Sequence, residues 1–251
     1  LEDVAKRSVG IVVQDLAGLR PDVEAIFEDV LGAPLFNISL GRPLSDWPIV
    51  ATALQLLRLL ARPVDIATAG ALLRSPFLNG AAAERAARAR LDLQLRNDNV
   101  LELPAARLRA IAPALLAAQL GAALTRLAAL PARQSPGAWA RAIPDLLAAA
   151  GWPGDRSQSS PERQALARWQ QLLRDFAALD IVDGPMPLAE AATLLSALSA
   201  ESIFQPETSE MPVQILEALQ AAGSRFDALW AMGMTDTVWP APARPNPFIP
   251  R

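Results

Sequence analysis

The hydrophobic positions of this chain change period twice. Val9-Gly10-Ile11-Val12-Val13 is an unbroken, mostly β-branched run between polar neighbours, the pattern of a strand buried on both faces. Arg20-Pro21-Asp22 then opens a predicted helix with Val23, Ile26, Phe27, Val30 and Leu31 along one stripe, stopped by Gly32. Leu35–Ser39 reads as a second short strand. From Ser45 to about Ala200 the period is helical throughout. Ser45-Asp46 caps a helix carrying Val50, Leu54, Leu57 and Leu60, and Asp65 caps another that ends near Ser75-Pro76. An arginine-rich helix is predicted over 81–96, and a further one over 105–129, interrupted at Pro113. Ser135-Pro136 and Ser160-Pro161 each pair a cap residue with a proline at the first helical position. Trp139, Ile143 and Leu146, then Leu166, Trp169, Leu173 and Phe176, mark the buried stripes that follow, and 187–199 is a last helix. The segment 151–161, GWPGDRSQSSP, has the composition of a flexible connection.

Strand patterning returns at Val213–Leu216 and at Phe226–Gly233, before a tail with prolines at 240, 242, 245, 247 and 250 that reads as an extended arm. Two strand-forming ends around a helical middle predict an α/β fold. A parallel sheet is built by residues 1–44 and 203–251, and a large, mainly helical insertion occupies 45–202. No fixed-period repeat marks a solenoid.

Composition narrows the chemistry. The 251 residues contain no cysteine, histidine or tyrosine. Disulfides, thiolate zinc sites, cysteine nucleophiles and imidazole bases are therefore excluded. Lys6 is the only lysine; it is followed by Arg7, so no GxxxxGK phosphate loop exists. Glu28-Asp29, Asp180 and Asp183 are acids whose positions helix surfaces and turn caps explain, and no metal site is assigned to them.

The net charge of −3 conceals a split. Residues 81–141 hold nine arginines against Glu84, Asp92, Asp98 and Glu102, a local +5, whereas 175–236 hold ten acids against Arg225 alone, a local −9. Such a split presents one face to phosphates, or reflects solvated helix faces. No run reaches the roughly 18 apolar residues of a membrane span. The opening LEDVAKRSVG has no apolar signal core, so a cytoplasmic location is expected. Beginning at Leu1, the chain reads as a piece of a longer one.

The stretch from Ala222 to Pro240, AGSRFDALWAMGMTDTVWP, resembles the segment around motif V of superfamily 1 helicases: Gly223, Phe226 and Asp227, an apolar strand, then Gly233, Asp236 and Pro240. The strand at Val9–Val13, with Gly10, Gln14 and Asp15, resembles motif IV. Phe36–Leu44 and Leu72–Leu78 are similar to stretches of the AddB/RexB group, helicase-like exonuclease subunits of bacterial double-strand-break repair. The order of motif IV, helical insertion and motif V is that of domains 2A and 2B in this UvrD-like superfamily. The likeness spans the chain, and its specific part lies at the two ends. Gln14 stands where active helicases carry the motif IV arginine, and Ala222 where motif V has its lysine; the upstream histidine is missing. The Walker lysine, motif VI and a PD-(D/E)XK nuclease domain are expected outside these residues.

The resemblance implies a RecA-like α/β domain with a 2B-like insertion, a non-catalytic part of a DNA-repair exonuclease that positions DNA. No cofactor is expected within it, and ATP and magnesium belong to the parent or a partner. Single-stranded or duplex DNA and a helicase or nuclease subunit are the expected partners, and no membrane. Arg85, Arg88, Arg90 and Arg96 are the candidate phosphate contacts. The three-residue step from Arg85 to Arg88 and the eight-residue step from Arg88 to Arg96 bring those three near one helix face. Arg42 and Arg74 join them from the family-like stretches. Two other readings fit the same sequence: a helical scaffold for protein partners without DNA, and part of an active ATP-driven helicase.

Overall fold

A computed structural model describes residues 7–31, 35–207 and 211–235 of the chain. The proline-rich tail, Lys6, Gly32, Asp236 and Pro240 lie outside the described residues. The chain divides into two compact units, one taking residues up to Gly41 and from Glu207 onward, the other Arg42–Pro206. No helix among the described residues is long and apolar enough to cross a membrane.

The first unit is α/β. Strands β1 (Val9–Val13), β2 (Phe36–Ile38), β7 (Val213–Leu216) and β8 (Ala228–Met232) form one parallel sheet in the order β2-β7-β1-β8. Both terminal stretches thus contribute to it, as the strand patterning predicts. Helix α1 (Leu16–Leu31) covers one face, where Ile11, Val13, Leu16, Val23, Ile38, Val213 and Ile215 pack together. It starts earlier than Pro21 implies: Asp15 Oδ1 accepts the Gly18 N–H at 3.0 Å and caps the helix, and Pro21 sits within it. The predicted apolar stripe is only partly used. Val23 is buried and Phe27 rests on Phe36 with ring centroids 5.6 Å apart, but Ile26 and Val30 are 59% and 68% exposed.

The second unit is helical. Helix α2 (Pro48–Ala61) is apolar nearly all round and buries Ile49, Val50, Ala53, Leu54, Leu56, Leu57, Leu59 and Leu60, which makes it the centre of the unit. Its start is set by Pro48 at the first position, with Trp47 as cap; Ser45 and Asp46 fall in a preceding 3₁₀ turn and cap nothing. Against α2 pack α3 (Ile66–Arg74), α6 (Ala114–Ala128), α7 (Pro136–Ala149), α8 (Ser160–Ala177) and α9 (Leu188–Glu201), while α4 (Arg85–Asn97) packs on α3 and α5 (Ala105–Ile111) on α6. Pro113 separates α5 from α6, as expected. The α8 cap is Ser159, one residue earlier than expected, because Glu162 three residues on completes a capping box. Two short antiparallel pairs close the unit: β3 (Arg42–Pro43) with β6 (Ile203–Phe204), and β4 (Val64–Asp65) with β5 (Glu102–Leu103). Pairing of β3 with β6 puts both in the helical unit and moves its boundaries outward from 45 and 202.

Asp65 caps α3 by accepting the Thr68 N–H at 2.7 Å, and this bond holds its carboxyl below the usual range. A carboxyl depressed in the folded state stabilises above its unfolded pKa, and that contribution is lost as pH falls through the folded value. Asp65→Ala is expected to cost about 1 kcal/mol at neutral pH in urea unfolding, with the difference from the parent shrinking as pH falls below about 4.

Candidate nucleic-acid interface

Helix α4 turns its arginines in different directions because only part of its surface is free. Leu91 and Leu95 face the core, and the residues one turn from them, Arg88 and Asp92, share that buried face. Arg88 is therefore withdrawn from the set of phosphate contacts. Its side chain is 1% exposed, donating Nε and Nη2 to Glu84 Oε2 at 3.2 and 3.0 Å and Nη2 to the Asn79 carbonyl at 2.9 Å. Arg96, eight residues on, does not follow Arg88 inward: its side chain is 45% exposed. Glu84 in turn accepts the backbone N–H groups of Leu115 at 2.6 Å and Leu116 at 3.2 Å, placing a negative charge at the α6 N-terminus.

Arg96 and Arg74 converge on one acid. Arg96 Nε donates to Asp92 Oδ1 at 3.1 Å and Arg74 Nη1 to Asp92 Oδ2, with both guanidinium side chains about half exposed (45% and 52%) and Asp92 at 12%. One carboxylate between two guanidiniums leaves a surplus positive charge at the surface.

Arg74 also lines a cleft of about 310 Å³ with Arg85, Arg156, Asp155, Pro76, Ala81 and Ala82. Arg85, in the first turn of α4, is exposed and has no ion-pair partner among the described residues. Arg156 stacks 4.6 Å from the Phe77 ring centroid and pairs with Glu162. Burial raises the Glu162 carboxyl, but the Arg156 contact and the Ser159 N–H outweigh it and hold the group below its ordinary value. Asp155, the one acid in the lining, has Oδ2 engaged by the Gly80 N–H at 3.0 Å. With Asp92 and Glu162, the ion-pair partners of Arg74 and Arg156, counted in, the guanidiniums of Arg74, Arg85, Arg96 and Arg156 exceed the carboxylates of Asp92, Asp155 and Glu162 by one, so the cleft and its rim carry a small positive surplus although the chain is negative overall.

Arg156 is absent from the sequence candidates because its segment has the composition of a linker. The structure corrects that reading. Trp152 Nε1 donates to the Ile49 carbonyl at 2.8 Å, and Gly154, at φ +93°, lies so close to the Phe77 backbone that a Cβ there would approach it to 3.1 Å. The segment is pinned from both sides. Of the remaining candidates, Arg90 is exposed on α4, outside the cleft lining, and Arg42 lies on β3 with its guanidinium 4.0 Å from the Trp47 ring centroid.

The motif-like residues of the α/β unit join its strands. Asp227 Oδ2 accepts the Ser8 N–H at 2.7 Å and the Ser8 hydroxyl at 3.1 Å, and these bonds, with Arg7 nearby, lower its pKa. Phe226 lies over Gly10, where a Cβ would come within 2.6 Å of its ring. Gly10→Ala is therefore expected to push the ring aside and loosen β1 from β8, at about 1–3 kcal/mol in urea unfolding. Gln14 Nε2 reaches Met234 Sδ at 3.8 Å, and Gly233 passes beside the Gln14 side chain. Asp15 is the α1 cap, and Gly223 sits in the turn after α10 (Ala218–Ala221) at φ +85°. Asp180 accepts the Gly137 N–H at 2.6 Å at the start of α7, a structural role. No group of three or more acids able to hold a metal ion occurs among the described residues.

No protein-family model matches the chain, and no curated protein matches it at significant similarity.

Proposed function

We propose that this chain is a non-catalytic, DNA-positioning part of a helicase-like exonuclease of the AddB/RexB kind, a RecA-like α/β unit interrupted in the chain by a 2B-like helical unit, acting in the bacterial cytoplasm. The observation that carries the reading is the meeting of Arg74, Arg85 and Arg156 at one cleft. Planar guanidinium groups suit phosphate oxygens through paired N–H donors. Contacts of that kind hold a nucleic-acid backbone in register without reading its bases. The pairing of the motif IV-like and motif V-like segments as adjacent parallel strands supports the resemblance from a second direction. ATP hydrolysis and strand cleavage, with their magnesium, are assigned to other domains or to a partner subunit.

Fluorescence anisotropy on a forked duplex tests this. Binding is expected at low salt, with log K falling against log[salt] at a slope of about −2 to −3 for three phosphate contacts. Absence of binding at low salt overturns the reading. The second reading, a scaffold for protein partners, then gains, favoured by the apolar groove of about 560 Å³ between α7 and α8 floored by Pro144, Leu166, Trp169 and Leu173.

A further inference from the structure

The helical unit, Arg42–Pro206, lies wholly within the described residues. Its own side chains leave the groove between α7 and α8 unfilled, and about 560 Å³ falls in the range of pockets that hold small organic molecules.

The groove is polarised along its length. Asp180, in the turn after α8, accepts the N–H of Gly137 near the start of α7, so the end of α8 lies beside the start of α7 and the two helices run antiparallel. Arg141 and Arg174 line the groove toward that end. Ala148, Trp152 and Leu166 line the opposite end, a helical run of about 16 Å from Gly137. Pro144, Trp169 and Leu173 form the wall between.

What the groove offers is positive charge and hydrogen-bond donors. No acid lines it, and Asp180, the acid bonded at its cationic end, offsets only one of the two guanidiniums. Arg141 is exposed and has no ion-pair partner among the described residues. Arg174 spends Nε and Nη2 on the Gln171 side-chain carbonyl at 3.1 and 2.6 Å and keeps its charge. Between the charged end and the apolar end stands Trp169, 1% exposed. Its indole N–H has no acceptor among the described residues, whereas those of Trp139 and Trp152 donate to the Met186 and Ile49 carbonyls. A buried indole N–H ordinarily has a partner, so this one is left open toward a ligand.

Charge at one end, an open donor in the middle and an apolar far end define the ligand. We propose that the groove binds a small amphipathic anion of the N-acyl amino acid class. Its carboxylate meets Arg141 and Arg174, its amide carbonyl accepts the Trp169 N–H, and its acyl chain runs toward Trp152. An acidic amphipathic helix fits less well, because its carboxylates would spread along the rim, whereas both arginines sit toward one end.

Calorimetric titration of the full chain with N-decanoylglycine, kept below its micelle concentration, is expected to show one saturable site. The methyl ester keeps the chain and the amide but not the charge. It is expected to bind at least about tenfold more weakly, since hydrogen bonds to charged groups are the stronger class. Arg141→Ala with Arg174→Ala, at exposed positions without ion pairs among the described residues, is expected to erase that preference with an unchanged circular dichroism spectrum. Absence of saturable binding, equal affinity for acid and ester, or a preference that survives the double variant overturns the proposal. So does a groove that takes a synthetic acidic amphipathic helix and not N-decanoylglycine, because its occupant is then a protein partner. The groove shares no lining residue with the arginine cleft, and the titration contains no DNA, so failure here is distinct from failure of the DNA-positioning reading.

Discussion

Glu84→Ala is expected to destabilise the helical unit by about 3–5 kcal/mol, because it leaves the Arg88 guanidinium buried without its counter-charge. The same change removes the acceptor of two backbone N–H groups at the start of α6. Arg88→Ala is expected to fall in the same range, since it strands Glu84 and opens a cavity among buried side chains. The double variant is expected to cost clearly less than the sum of the two, because each single change already breaks the shared pair. Urea unfolding followed by tryptophan emission reads this out well: Trp47, Trp139, Trp152 and Trp169 all lie in the helical unit. Single-variant costs below about 1 kcal/mol would mean that the pair is no more than a surface salt bridge.

The second large effect concerns DNA. Arg85→Ala and Arg156→Ala together are expected to weaken binding to a forked duplex by at least about tenfold at low salt, and adding Arg74→Ala to weaken it further. Arg90→Ala, outside the cleft, is expected to change affinity by less than about twofold. Stability moves little in Arg85→Ala, which breaks no ion pair, and modestly in Arg156→Ala, which loses a partly exposed pair with Glu162. If Arg90→Ala weakens binding as much as Arg85→Ala does, the positive charge acts diffusely and the cleft has no special role.

Much of the fold was legible because its signals are local. Val9–Val13, Val213–Leu216 and the apolar run ending at Gly233 all form strands of one sheet, and Asp65, Ser135 and Pro113 cap or divide helices at the predicted points. The errors arise where tertiary neighbours decide. Ile26 and Val30 match the helical period of Val23 and Phe27, yet the sheet beneath α1 offers them no cover. Arg88 reads as a surface cation until it is set beside Leu91 and Leu95, whose spacing marks the buried face, and beside Glu84 one turn earlier. That signal was available in the sequence. The position of Arg156 was not, because the bond from the Trp152 indole to Ile49 spans 103 residues and leaves no local trace.

The most direct test of the central claim is the difference in salt dependence between the parent chain and the Arg74, Arg85 and Arg156 triple alanine variant on the same forked duplex. Loss of three phosphate contacts predicts a slope shallower by about 2 to 3, on top of the loss in affinity at low salt. Equal slopes for parent and variant would contradict the account, because any phosphate contacts would then lie elsewhere on the molecule.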